Sequence, residues 1–342
     1  MSARPVVGAD LSTVRQYPID LLRRGSNRPE LSKGPVPEVL RSHGFDVQRV
    51  ARDALELDPG RILWLSGNPV WYRRTFRRLA QVPAGRRPFV VAWHYEPLPL
   101  PAAAGIRMER LHAREVAKIV LRDNRITDPY SNARLITRLT REGLIDLLVV
   151  TSFSAQEFLA GRAIASSVVP LGSSPRDGED LGLARDIDVL LLATLDVPRR
   201  KRVIRHLRGR GISLVALGDW KNPAYFGAGR TTLLNRTKIL LNIPRHEGLL
   251  SGRTMIIGMK NRALVVADPI YRPEPYRPGE HYVSAELADM PEAIAHFLAD
   301  DEARATVTTA AHRFVSDELT MERSVLRVLE LVDERLRSRG GG

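Results

Sequence analysis

Short runs of Val, Ile and Leu alternate along the chain with longer stretches whose apolar residues recur every three or four positions. In the first half the short runs predict strands at 5–8, 45–50, 61–66, 88–94, 145–151 and 167–171. The amphipathic stretches at 35–43, 69–80, 106–121, 132–142 and 154–161 predict helices between them. The alternation resumes in the second half, with strands at 187–193, 212–217, 238–243, 263–267 and 281–284. Its helices fall at 199–208, 230–235, 252–259, 291–298, 302–315 and 322–337. Residues 189–193, VLLLA, offer no polar face, so that strand needs cover on both sides.

Strands alternating with helices imply βαβ units and parallel sheets. The polar stretch at 173–185, SSPRDGEDLGLAR, separates the two series and is expected to be a linker. The chain thus divides into an N-terminal Rossmann-like domain at 1–175, a C-terminal one at 186–320, and a last helix at 321–338. The expected fold class is α/β, with two Rossmann-like domains facing a cleft. In such sheets ligands sit beyond the carboxyl ends of the strands, so functional residues are sought there.

Composition narrows the chemistry. With 342 residues, 44% of them hydrophobic, the chain can build one core per domain. It has no cysteine, which removes disulfides, thiolate metal sites and cysteine nucleophiles together. The start MSARP lacks a signal-peptide pattern, and no segment approaches the roughly 20 apolar residues that span a bilayer. A cytoplasmic protein is expected. The net charge of +13 favours anionic partners, but arginine is abundant throughout, so charge alone selects none of them. On 71–79 Tyr72, Phe76 and Leu79 share one helical face and Arg73, Arg74, Arg77 and Arg78 another. That suits a core-facing helix with a solvated side, or a peripheral membrane contact.

From Leu144 to Gly172 the sequence reads LIDLLVVTSFSAQEFLAGRAIASSVVPLG. This resembles the close of the N-terminal domain in group 1 glycosyltransferases of GT-B fold, with Ser152, Glu157 and Pro170, Leu171 and Gly172 in the matching places. The second half is similar to the shorter, spore-maturation-like branch of that group. DIDVLLLATLDVPRRKRVIRHL, KILLNIPRHEG, GRTMIIGMKNRALVVAD, PGEHYV and LADDEAR follow in its order. The resemblance implies transfer of a sugar from a nucleotide-diphosphate-sugar donor to an acceptor it does not identify, without a metal or other cofactor. It also implies that the last helix crosses back to the N-terminal domain.

Glycosyl transfer expels a diphosphate, which cations and helix N-termini hold. Pro198 opens a helix just after a strand, placing Arg199 and Arg200 where a pyrophosphate would sit; a solvated helix face is the alternative. Arg253 begins another helix and is expected to contact the donor. Glu247 matches the upstream acid of the family's two-glutamate pattern, while the downstream places hold Met255 and Ile256. His94, after the strand at 88–94, is expected to face the reacting sugar, with Glu96 beside it; a buried histidine bonded to backbone is the alternative. Ser152, Gly172, Asn242 and His246 complete the candidate cleft residues, and the loop at 24–35 is expected to overhang them.

Asp186 and Asp188 have the D-x-D form of metal-dependent transferases but precede a strand instead of following one, so no metal site is argued. The glycines at 227 and 229 lack P-loop or dinucleotide spacing. Two other functions compete: a GT-B-like binding or accessory protein that has lost turnover, and a basic nucleic-acid-binding protein. No nucleic-acid module is visible, so no nucleic-acid partner is expected.

Overall fold

The structure is a computed structural model, and it describes residues 10–22, 35–50, 55–106, 108, 128–218, 222 and 225–340. The strand expected at 5–8, most of the loop at 24–35 and most of the helix at 106–121 lie outside the described residues. The chain forms two compact units. Unit 1 comprises Met1–Ala103, Glu109–Pro170 and Met321–Gly342; unit 2 comprises Ala104–Met108 and Leu171–Thr320.

Unit 1 is built on β1 (Ile19–Leu22), β2 (Val47–Val50), β3 (Ile62–Ser66), β4 (Phe89–His94), β5 (Leu147–Val150) and β6 (Ser167–Val168). They form one parallel sheet in the order β2-β1-β3-β4-β5-β6. Strand β1 was not among the expected strands. Its sequence IDLL carries a buried charge, Asp20, which Arg61 grips through two hydrogen bonds of 2.7 Å. A paired carboxylate can be buried, and that pairing breaks the apolar run by which the strand would be recognised. The crossover helices are α1 (Val36–Ser42), α2 (Arg73–Ala80), α3 (Pro129–Arg141) and α4 (Phe153–Ala160). The helix expected at 69–80 is a 3-10 turn, Pro69–Tyr72, running into α2. Asn68 caps it by accepting from the Val70 N–H at 3.0 Å. Tyr72, Phe76 and Leu79 are buried in the core with Ile136 and Leu139 of α3, while Arg74, Arg77 and Arg78 are exposed.

Unit 2 is built on β7 (Ile187–Leu192), β8 (Leu214–Leu217), β9 (Thr237–Asn242), β10 (Leu264–Ala267) and β11 (Val283–Ser284), parallel in the order β11-β10-β9-β7-β8. Helices α5 (Pro198–Gly209), α6 (Gly227–Asn235), α7 (Gly252–Lys260), α8 (Met290–Ala299) and α9 (Asp301–Arg313) cover it. Beyond α9 the helix expected to reach 315 changes pitch into a π turn, Phe314–Glu318. Phe314 there stacks on His281 at 4.2 Å.

The stretch at 173–185 is not a free linker but part of unit 2. Ser174 and Asp177 form a capping box about the turn Pro175–Asp177, and Asp177 is fully buried. Asn235 donates to the Glu179 carbonyl at 2.8 Å and Asn261 to the Asp177 carbonyl at 3.0 Å. Ser173, Ser174 and Asp177 are turned inward, while Arg176, Glu179 and Asp180 stay exposed, so the stretch is polar yet bonded to the body of the unit.

After unit 2 the chain ends in α10 (Met321–Gly340), which belongs to unit 1 and packs on α1 and β5. Buried Asp333 of α10 accepts from the Val14 N–H at 2.7 Å and pairs with Arg337 at 2.8 Å.

Candidate functional site

In unit 2 the candidate residues gather where the strands end. Leu192, Asn242 and Ala267 close β7, β9 and β10. Helix α5 starts there because Pro198 supplies its pre-set φ at the first position. Its next residue, Arg199, donates to the Pro244 carbonyl at 3.1 Å and pairs with the carboxylate of Asp268, the residue that follows β10. Arg200 donates to the Ile243 carbonyl at 2.8 Å and to the Thr194 carbonyl at 3.0 Å. It therefore works as a strut between the ends of β7 and β9. Burial, with Arg245 and Arg199 nearby, lowers its pKa to about 10, so it stays charged at neutral pH.

Several buried polar atoms at this edge have no hydrogen-bond partner: Asn242 Nδ2, Asp268 Oδ1 and the Tyr282 hydroxyl. Such atoms are uncommon in native proteins, and at the carboxyl ends of parallel strands a polar ligand is their natural complement. Burial pushes the Asp268 pKa up to about 6; Arg199 opposes that shift and Glu247 adds to it. Glu247 itself is exposed on the loop after β9, and His246 is half-buried beside it.

Arg253 lies at the start of α7. It pairs with buried Asp177 at 2.7 Å. Arg230 of α6 shares this electrostatic neighbourhood; burial chiefly, then Arg253, lowers its pKa. Arg253 thus fastens 173–177 to α7, with half of its side chain exposed. Met255 and Ile256, where the resembled pattern carries an acid, are fully buried in apolar core. Gly172 is buried beside Ser173, whose N–H donates to the Leu319 carbonyl at 2.7 Å.

In unit 1, His94 ends β4 and is fully buried, in register with Val150 of β5. Neither ring nitrogen makes a well-formed hydrogen bond. Burial lowers its pKa to about 4, against smaller opposing effects of the Gly67 and Glu96 backbones. The imidazole is therefore neutral at physiological pH. Glu96 is half-buried two residues on. Ser152 caps α4, accepting from the Ala155 N–H at 3.3 Å and lying 3.2 Å from the Ser154 hydroxyl. Asn68, after β3, donates to Asn132 of α3 at 2.9 Å, and both are buried.

The structure thus brings Arg199, Arg200 and Asn242 together at one sheet edge, with Glu247 near enough to act on Asp268. It puts Arg253 in a separate ion pair and Gly172 at the start of unit 2. His94, Glu96 and Ser152 belong to unit 1. Asp186 and Asp188 lie at the opposite end of β7, paired with Arg236 and with Lys238, the latter at 2.7 Å. Among the described residues no three His, Asp or Glu side chains gather as a metal would need. Nor is any described helix long and apolar enough to cross a membrane.

A family model described as glycosyl transferase-like matches residues 199–330. Among solved structures, HepE of Anabaena in complex with UDP-glucose superposes with a TM-score of 0.56 at 13% identity, covering 92% of this chain and 99% of that one. WaaG, a glycosyltransferase involved in lipopolysaccharide biosynthesis, gives 0.52 at 11% identity over 92% and 99%. The two-unit α/β fold is of the GT-B type. A mutant of S. aureus TarM in complex with fondaparinux, alpha-GlcNAc-glycerol and UDP gives 0.58 at 12% identity. That match covers 82% of this chain, which spans only 56% of TarM. A search of curated proteins returns no match.

Within this GT-B unit, sequence reasoning passed over Asp268, Tyr282 and Asp177. The first was within reach, because Asp268 directly follows the apolar run LVVA and residues just after strands are where ligands bind. Asp177 carried no such signal, sitting in a stretch whose polarity implies solvent.

Proposed function

We propose that the chain is a glycosyltransferase that binds a nucleotide-diphosphate sugar at the strand ends of unit 2. The observation that carries this is the set of unpartnered buried polar atoms of Asn242, Asp268 and Tyr282 beside Arg199, inside the segment matched by the glycosyl transferase-like model. Arg199 binds the diphosphate, and Arg200 keeps the ends of β7 and β9 apart for it while adding positive potential. Glu247 contacts the donor from the loop after β9, and Arg253 contacts it from the start of α7 with the exposed half of its side chain. Orientation and charge stabilisation supply the rate acceleration, with no metal in the scheme. The order of motifs supports the spore-maturation-like branch. Exposed Arg74, Arg77 and Arg78 on α2 support a peripheral contact with an anionic surface.

The test is release of nucleoside diphosphate from a panel of nucleotide sugars. Turnover of at least one donor is expected, reduced by about two orders of magnitude or more in Arg199→Ala, as for loss of a charge-stabilising group. A second reading, a GT-B-like binding protein without turnover, is favoured by the apolar burial of Met255 and Ile256. Binding of a donor with no diphosphate release from any donor selects that reading.

A further inference from the structure

Arg199 and Arg200 are neighbours on α5 but are held in different ways. Arg200 is bonded to two backbone carbonyls, and moving it would leave both bare. Arg199 has one carbonyl partner and one exchangeable partner, a carboxylate. We infer that Asp268 is a positioning residue for Arg199, holding its guanidinium across the ends of β9 and β10 in the ligand-free chain and releasing it to the diphosphate of a bound nucleotide sugar. This rests on the donor-site reading above.

Three observations support the exchange. First, Asp268 is buried but only half-satisfied: Oδ2 pairs with Arg199, while Oδ1 has no hydrogen-bond partner. A buried carboxylate bound on one side is costly, and with Arg199 drawn away its charge would be uncompensated, so release is coupled to uptake of a proton. Second, the charged and titratable groups facing Asp268 come from separate elements: Arg199 from α5, Glu247 from the loop after β9 and Tyr282 from the segment before β11. Of these only Arg199 favours the carboxylate; Glu247 repels it, and burial, the largest effect, acts in the same direction as Glu247. Third, a diphosphate offers the guanidinium fork more negative charge and more acceptor oxygens than one carboxylate does.

Proton linkage follows from this geometry. Beside Arg199, burial pushes the Asp268 pKa up to about 6. With Arg199 drawn away and an anion brought in, its pKa rises further, so the complex holds more protons than the free chain above about pH 6. Donor affinity therefore weakens as pH rises past that point, by up to about tenfold per pH unit.

The experiment has two readouts, on the wild type, Asp268→Asn and Asp268→Glu. Calorimetric titration with UDP-glucose is run from about pH 5.5 to 8, a window in which the diphosphate diester keeps its charge and Asp268 changes its own. In parallel, phenylglyoxal modification of Arg199 in the ligand-free chain is followed by peptide mass spectrometry near pH 8. The wild type should lose affinity with rising pH, and Asp268→Asn should bind with a flat profile and more tightly than wild type at pH 8. Arg199 should be modified several-fold faster in Asp268→Asn than in wild type, with Asp268→Glu restoring slow modification. Equal modification rates in wild type and Asp268→Asn overturn the proposal, whatever the titration gives. A flat wild-type pH profile overturns the release step. Accelerated modification in a chain that binds no UDP-glucose supports the hold on Arg199 and counts against the donor reading for that sugar, which separates the two failures.

Discussion

At the scale of single residues, the clearest consequence of burial is at His94. Its pKa falls from 6.5 to about 4 in the folded chain because no solvent is left to stabilise the imidazolium. The unfolded chain takes up this proton below pH 6.5, whereas the folded chain resists until about 4. The contribution to stability is thus present above pH 6.5 and lost as pH falls through that interval. His94→Gln should shrink the difference in unfolding free energy between neutral pH and about pH 4.5 by as much as ~2 kcal/mol, measured by urea denaturation. Identical acid loss in both proteins would mean the ring is not held neutral. The sequence put His94 at a strand end and Arg199 and Arg200 at a helix start, and that is where the structure has them. Their partners were not legible. Asp268 lies 69 positions from Arg199, and nothing local in either segment announces the pairing.

The next scale is that of elements. Strand and helix alternation was readable through most of the chain because apolar runs and amphipathic periods dominate local choice. It failed where a polar residue is paired inside: at β1, whose Asp20 is gripped by Arg61, and at 173–185, whose Asp177 is buried by its own capping box. Helix α7 shows how closely an element can be fitted to the sheet. A Cβ added at Gly258 would stand 2.5 Å from Val265 Cγ2 and 3.0 Å from Leu240 Cδ2. The helix therefore lies directly on β9 and β10, and the loop before it is carried at the sheet edge. Gly258→Ala forces the helix off those strands and should cost about 1–3 kcal/mol in urea denaturation. An unchanged midpoint with an unchanged slope would show that α7 does not sit that close.

For the whole molecule, the alternation of strands and helices made two parallel-sheet units expected, and the course of α10 into unit 1 was implied only by the family resemblance. The net charge of +13 carries less meaning than its size suggests. Individual arginines serve the fold itself, as Arg61 does by pairing with Asp20 and Arg185 by donating to the carbonyls of Leu234 and Asn261. What bears on a ligand is more local: the unpartnered buried polar atoms of Asn242, Asp268 and Tyr282 in unit 2. Thermal unfolding against a panel of nucleotides and nucleotide sugars tests that site most directly. At a ligand concentration about 100 times Kd, a bound donor adds ~2.7 kcal/mol, which raises the midpoint by roughly 5 °C or more for a unit of this size. The account predicts such a rise for at least one nucleotide sugar in the wild type, and its loss in Arg199→Gln measured against that variant's own ligand-free midpoint. A full-sized rise that survives Arg199→Gln would contradict it.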